Sequence, residues 1–158
     1  MIINLLLAET RRSKLYLDYI FKSKIQLGTL IYYSKKKNNF YKYLKKKNYK
    51  NTIFLDTNNV NSKKIANILA SVKTNIIYSG YPGEIIKNKK ILKKNIFHLH
   101  PGDLPYFKGS TTIFYSILLK KKIVVSCFKI NKKIDDGKIV FKKKFDLPIN
   151  KEKINSVF

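Results

Sequence analysis

Asn95-Ile-Phe-His-Leu-His-Pro-Gly-Asp-Leu-Pro-Tyr-Phe-Lys-Gly-Ser-Thr-Thr112 decides how the chain is read. Ile96 to His100 has the apolar content of a buried strand, and Pro101 ends it because proline removes the donor a further ladder bond would need. The residues after it, with Gly102, Pro105 and Gly109, have the composition of a loop. Side chains two apart on a strand share a face, so His98 and His100 project to the same side. These are the only two histidines of the protein. Open α/β sheets place their chemistry at such strand ends.

Towards the N-terminus the pattern alternates. Ile2–Ala8 is apolar apart from Asn4, as expected of a strand covered on both faces. Leu15, Tyr16, Tyr19 and Ile20 recur at helical spacing, with Ser13 available as a cap. Strands are predicted at 27–33, 52–55 and 75–78. Helices are predicted from Phe40, Tyr43 and Leu44, and from Ile65, Ile68, Leu69 and Val72. Alternating strands and helices predict an α/β fold: a Rossmann-like, doubly wound, mostly parallel sheet with helices on both faces. Towards the C-terminus, a helical stripe of Ile113, Phe114, Ile117 and Leu118 precedes strands at 123–130 and 139–145. The turn between them contains Asp135, Asp136 and Gly137, the glycine suited to a positive φ. Two strands joined by so short a link predict a mixed or antiparallel C-terminal edge. Leu147–Glu152 resembles entry into a further helix with Asn150 as its cap. One domain spanning 1–158, truncated at its C-terminus, is the expected organisation.

Composition bounds the function less than it first suggests. The net charge of +25 invites a nucleic-acid reading. However, Arg11 and Arg12 are the only arginines, and arginine's planar fork is what base and phosphate recognition favours. A solvated lysine surface is the simpler account. No apolar run has the length of a membrane span. With Cys127 alone, no internal disulfide can form, which fits a reducing, cytoplasmic setting.

Chemistry-bearing residues gather at the predicted strand ends: His98, His100, Asp103, Asp135, Asp136 and the Gly80–Gly83 loop. A carboxylate beside a histidine fixes its tautomer and stabilises its charged form, as acid–base work requires. A His-x-His pair also suits zinc, with Asp135 or Asp136 as a third ligand. Spacing alone leaves a metal site, a metal-free acid/base pair and ordinary hydrogen-bonded histidines level. There is no nucleophile elbow and no phosphate loop, so direct transfer without a covalent intermediate is favoured.

The run His98-Leu-His-Pro-Gly-Asp-Leu-Pro-Tyr-Phe-Lys-Gly109 resembles the signature of the folate-dependent formyltransferases, in which Asn-x-His-Pro-Ser/Gly-x-Leu-Pro is followed by a base and a glycine. Two more stretches are similar to family elements: Ile76-Ile-Tyr-Ser-Gly-Tyr-Pro-Gly-Glu-Ile-Ile86 and Ile134-Asp-Asp-Gly-Lys-Ile-Val140. The resemblance implies a formyltransferase fold and transfer of a formyl group from 10-formyltetrahydrofolate, without a metal, to a small-molecule primary amine. An amino sugar, including a nucleotide-linked one, is favoured over glycinamide ribonucleotide, and methionyl-tRNA is the nucleic-acid runner-up. A homodimer is allowed. His100 is implied to hydrogen-bond the formyl oxygen and Asp135 to relay the amine's proton. Gly80, Tyr81, Gly83, Ile85, Ile86 and Ile134 are implied to border the pterin. His98 stands where the family has asparagine. An imidazole can donate to an oxyanion but, unlike an amide, must choose a tautomer. A catalytically impaired binding protein and a zinc-dependent hydrolase are the readings from other classes.

Overall fold

The computed structural model describes residues 2–37 and 39–147; the expected cap at Asn150 lies outside them. Seven strands form one sheet in the order β3-β2-β1-β4-β5-β6-β7. They are β1 (Ile2–Ala8), β2 (Gln26–Tyr33), β3 (Thr52–Leu55), β4 (Ile76–Ser79), β5 (Ile96–His100), β6 (Lys122–Lys129) and β7 (Ile139–Asp146). The first five pair in parallel, while β5–β6 and β6–β7 are antiparallel. The expected doubly wound sheet with a mixed C-terminal edge is therefore the fold observed.

Alternation along β1 explains the double winding. Leu5 and Leu7 face one core with Leu17 and Ile20 of α1 (Arg11–Lys22) and Phe40 and Leu44 of α2 (Asn39–Lys47). Leu6 and Ala8 face the other, with Ile65 and Leu69 of α3 (Lys63–Ser71) and Ile91 of α4 (Lys89–Leu92). Both faces are covered, which is why the strands read as near-continuous apolar runs. Asn4, the one polar residue of β1, fills a register irregularity between Ile3 and Leu5. Its side chain accepts from the Thr29 amide (2.7 Å) and donates to Thr74 (2.5 Å). Gly28 leaves room for it, since a Cβ there would lie 2.5 Å from the Asn4 oxygen.

Two helices are rotated from the expected orientation. On α1 the cap is Thr10, whose hydroxyl accepts from the Ser13 amide; Ser13 lies inside the first turn. Leu15 and Tyr19 are 58% and 68% exposed; Ile20 is buried as expected, joined by Ser13 and Leu17. The Ser13 hydroxyl bonds Ser79 at the end of β4 (2.9 Å to Oγ), and that buried polar contact sets the rotation. On α5 (Thr112–Lys120) the buried residues are Thr112 and Ser116, while Phe114 and Leu118 are exposed. Thr112 pins this helix by donating to the Pro101 carbonyl (2.9 Å). Among the described residues no helix is long and apolar enough to cross a membrane.

Candidate active site

β5 is the strand at which the sheet changes from parallel to antiparallel, and both histidines face one side of it. His100 is 2% exposed. Its Nε2 lies 2.9 Å from the Phe107 carbonyl, which can only accept, so Nε2 carries a proton. The same nitrogen is 3.2 Å from Thr112 Oγ1. Nδ1 faces Asp135 Oδ2 at 3.4 Å. That carboxylate oxygen also accepts from the Gly109 amide (2.9 Å), so Asp135 ties the two loops together. The structure thus joins the expected pair, His100 and Asp135. It also occupies both His100 ring nitrogens with protein partners.

His98 is placed differently. Its Nδ1 lies 3.0 Å from the Tyr78 carbonyl, and its ring is edged by Tyr78 and Phe128. Nε2 has no hydrogen-bond partner among the described residues, and the side chain is half-buried. Burial is the main cause that pulls its pKa down to about 4; the Arg12 guanidinium and His100 add to this, against the Tyr78 hydrogen bond and Asp135. An unfolded histidine titrates near 6.5. Below that pH the unfolded chain takes up a proton that folded His98 refuses, so stability falls as pH drops from about 6.5 towards 4. Between pH 6.5 and 5 this contributes about 1–2 kcal/mol, allowing for partial exposure. Urea denaturation midpoints should show that loss in the parent chain, and His98→Asn should flatten the slope.

The loop 101–109 is held from several sides. Asp103 pairs with Lys142 (2.7 Å) and Lys120 (3.4 Å). Burial pushes its carboxyl pKa up, but these two ammonium groups outweigh that and hold it below the usual range. Ser126 of β6 accepts from the Leu104 amide and donates to the Gly102 carbonyl. Lys108 pairs with Asp136. Gly102 is required by closeness, since a Cβ there would lie 2.7 Å from His100 Nε2.

Asp135 itself takes the left-handed conformation (φ 45°), which aspartate tolerates better than most side chains. Gly137, expected to supply that conformation, does not. Its role is close approach: a Cβ there would lie 1.7 Å from the Lys129 carbonyl oxygen. The Lys129 amide donates to Lys138 across the same crossing (2.9 Å).

The six positions implied to border the pterin divide by what they offer a ligand. Ile86 is turned into the core, and Tyr81 packs against Tyr33. The Gly80 carbonyl is taken by Arg12, the Tyr81 amide by Glu84 and the Ile85 carbonyl by Asn61. Gly83 (φ 74°) has open space around it, and Ile134, beside Asp135, is 55% exposed. Gly83 and Ile134 thus present open backbone and apolar surface, which suits the edge of a flat ring.

Sequence reasoning missed Arg12. Its Nε donates to Ser79 (3.1 Å) and its Nη2 to the Gly80 carbonyl (3.1 Å), which brings a cation to the ends of β1 and β4. The available signal was arginine's rarity in a lysine-rich chain. Among the described residues no three His, Cys, Asp or Glu side chains are grouped to hold a metal ion.

No protein-family model matches the sequence, and no curated protein matches it. Solved structures do. A phosphoribosylglycinamide formyltransferase from Campylobacter jejuni is 19% identical with a TM-score of 0.72, over 99% of this chain and 90% of that one. A sugar N-formyltransferase from a Shewanella species is 17% identical with a TM-score of 0.64, over 93% of this chain and 58% of that one. A formyltetrahydrofolate deformylase from Pseudomonas syringae is 12% identical with a TM-score of 0.68, over 99% of this chain and 54% of that one. The chain therefore has the fold of the folate-dependent formyltransferases. Proteins of three different activities share that fold, so the acceptor has to be argued from the site.

Proposed function

We propose that this chain transfers a formyl group from 10-formyltetrahydrofolate to the primary amine of a small-molecule acceptor, with a nucleotide-linked amino sugar favoured. The observation that carries the reading is the His100–Asp135 pair. Two residues 35 positions apart meet at 3.4 Å at the mouth of β5, within a fold shared with formyl-transferring enzymes.

The amine lone pair attacks the formyl carbon, and the carbonyl π pair moves onto oxygen. Collapse expels N10 of the folate, which takes a proton. The enzyme's part is to hold the two reactants, stabilise charge and carry that proton. Ile134 and the backbone at Gly83 would border the pterin, and Asp135 and His100 hold a proton within reach of that edge. An open cleft of about 550 Å³, lined by Glu9, Ser34, Lys35, Lys36 and Tyr81 among others, supports the acceptor class. Its lysines suit phosphate oxygens, and its hydroxyl and carboxylate groups suit sugar hydroxyls.

The test is direct. Purified chain, 10-formyltetrahydrofolate and a panel of amines including a nucleoside-diphosphate-linked amino sugar should release tetrahydrofolate together with a formylated amine. A folate analogue should raise the melting temperature, as any ligand selective for the native state must. A chain that binds the analogue and formylates nothing would favour the binding-protein reading. A chain that does neither would sink both.

A further inference from the structure

We infer that His98 meets the acceptor amine as a hydrogen-bond acceptor, through Nε2, and does not donate to the formyl oxygen. The inference rests on the formyl-transfer reading and deepens it. The Tyr78 carbonyl, 3.0 Å from Nδ1, has no proton to give. Nδ1 must therefore carry the single proton of a neutral imidazole, and Nε2 is left with its lone pair. Nε2 is also the ring nitrogen with no partner among the described residues, whereas both nitrogens of His100 are engaged. The ring is held there from two sides, by Tyr78 of β4 and by Phe128 of β6 at 89° to it.

An asparagine at this position could turn its NH2 towards a developing oxyanion. An imidazole fixed in this tautomer cannot, because like lone pairs would face each other. It can instead receive an N–H of the attacking amine, which aims the amine's own lone pair at the formyl carbon. As the C–N bond forms, the nitrogen becomes positive and its proton acidic. Nε2 takes that proton, giving an imidazolium that still donates through Nδ1 to Tyr78. As the C–N10 bond breaks, N10 takes the proton held by the His100–Asp135 pair, and the His98 imidazolium returns its own proton to that pair. One amine N–H is exchanged for one N10–H and no charge is left over. Neutral His98 persists well below pH 7, since burial and Arg12 both disfavour its charged form.

The test begins without any ligand. With only two histidines in the chain, long-range ¹H–¹⁵N correlation spectra of the uniformly labelled protein at pH 7 assign both rings. A proton on His98 Nδ1 and a bare Nε2 are expected; a proton on Nε2 overturns the inference. The second readout is kinetic. His98→Asn, which restores the family residue and removes the acceptor, should lower kcat by about tenfold or more and leave KM for the formyl donor unchanged. His98→Gln serves as the alternative should that variant fold poorly. If His98→Asn keeps or gains activity, the donor role is restored and the inference fails. If the parent chain formylates no amine, the formyl-transfer reading fails separately, and the spectra alone decide whether Nε2 is an acceptor.

Discussion

Asp135→Asn is expected to lower the rate of formyl transfer by about 10²–10⁴-fold, the usual contribution of a positioned proton-transfer group, and stability by only about 1–2 kcal/mol. The geometry separates the two effects. Because the Phe107 carbonyl requires a proton on His100 Nε2, a neutral His100 presents a lone pair at Nδ1. That lone pair faces the Asp135 carboxylate at 3.4 Å. Two acceptors at this separation call for a shared proton, held by the imidazole or by the acid. An asparagine amide fills the same volume. At the Oδ2 position it can place NH2 towards Nδ1 or oxygen towards the Gly109 amide, so one of the two contacts is lost. What disappears is the transferable proton. Rates should therefore collapse, while the urea midpoint reports only the about 1–2 kcal/mol cost of that one lost contact. A variant that retains more than about a tenth of the parent rate would remove Asp135 from the chemistry. His100→Ala should behave differently. It leaves the Phe107 carbonyl without its His100 donor, and leaves a cavity beneath Thr112, so it should cost both activity and stability.

The parts of this molecule legible in its sequence are those whose cause is local. β1 and β5 announce themselves because their runs are largely apolar, broken only by Asn4 in the first and by the two histidines in the second. His98, His100 and the loop to Gly109 are contiguous in sequence, so their grouping needs no tertiary information. Asp135 lies beyond that run, and only its resemblance to a family element ties it to His100. Helix rotation is not legible. The apolar stripes of α1 and α5 predict buried Leu15, Tyr19, Phe114 and Leu118, and each is exposed. In both helices the orientation is set by a buried hydroxyl, Ser13 to Ser79 and Thr112 to Pro101, and one such bond outweighs a stripe of weak preferences. Gly137 reads as a conformational glycine because turns usually need one; its role is steric, against a carbonyl of β6 that no local pattern brings near. The tautomer of His98 is undecidable from sequence for the same reason, since its arbiter, the Tyr78 carbonyl, lies 20 residues away.

Glu84→Ala is expected to destabilise the fold by about 3–5 kcal/mol, a large share of the roughly 5–15 kcal/mol that holds a domain together. In the sequence Glu84 belongs only to a weak loop motif, yet its carboxylate organises the ends of β2 and β4. Oε2 accepts from the Tyr33 hydroxyl (2.5 Å), the Tyr78 hydroxyl (2.9 Å) and the Tyr81 amide (3.2 Å). Oε1 accepts from the Val60 amide (2.7 Å), which fixes the connection into α3. Hydrogen bonds to a charged acceptor contribute about 1.5–3 kcal/mol each, and they are not additive here because they share one carboxylate. Alanine leaves two phenols, one nearly and one wholly buried, facing an empty site. Glu84→Gln should cost less. Its amide oxygen still accepts from one side, but its NH2 meets the Val60 amide donor to donor. Tyr33→Phe should cost least, about 1 kcal/mol, since it removes one bond and leaves the carboxylate three partners. A second consequence concerns base. Burial and the neighbouring carboxylate push the ionisation of Tyr33 and Tyr78 well above the ordinary phenol value of 10.0. Unfolded tyrosines lose their protons near 10 while these two keep theirs, so their stabilisation is complete below that pH and is lost as pH rises beyond it. Their phenolate absorption should appear only with cooperative unfolding in the parent chain, and at lower pH in Glu84→Ala. If Glu84→Ala shifts the urea midpoint by less than about 1 kcal/mol, and tyrosine ionisation is unchanged, the carboxylate is not what closes this end of the sheet.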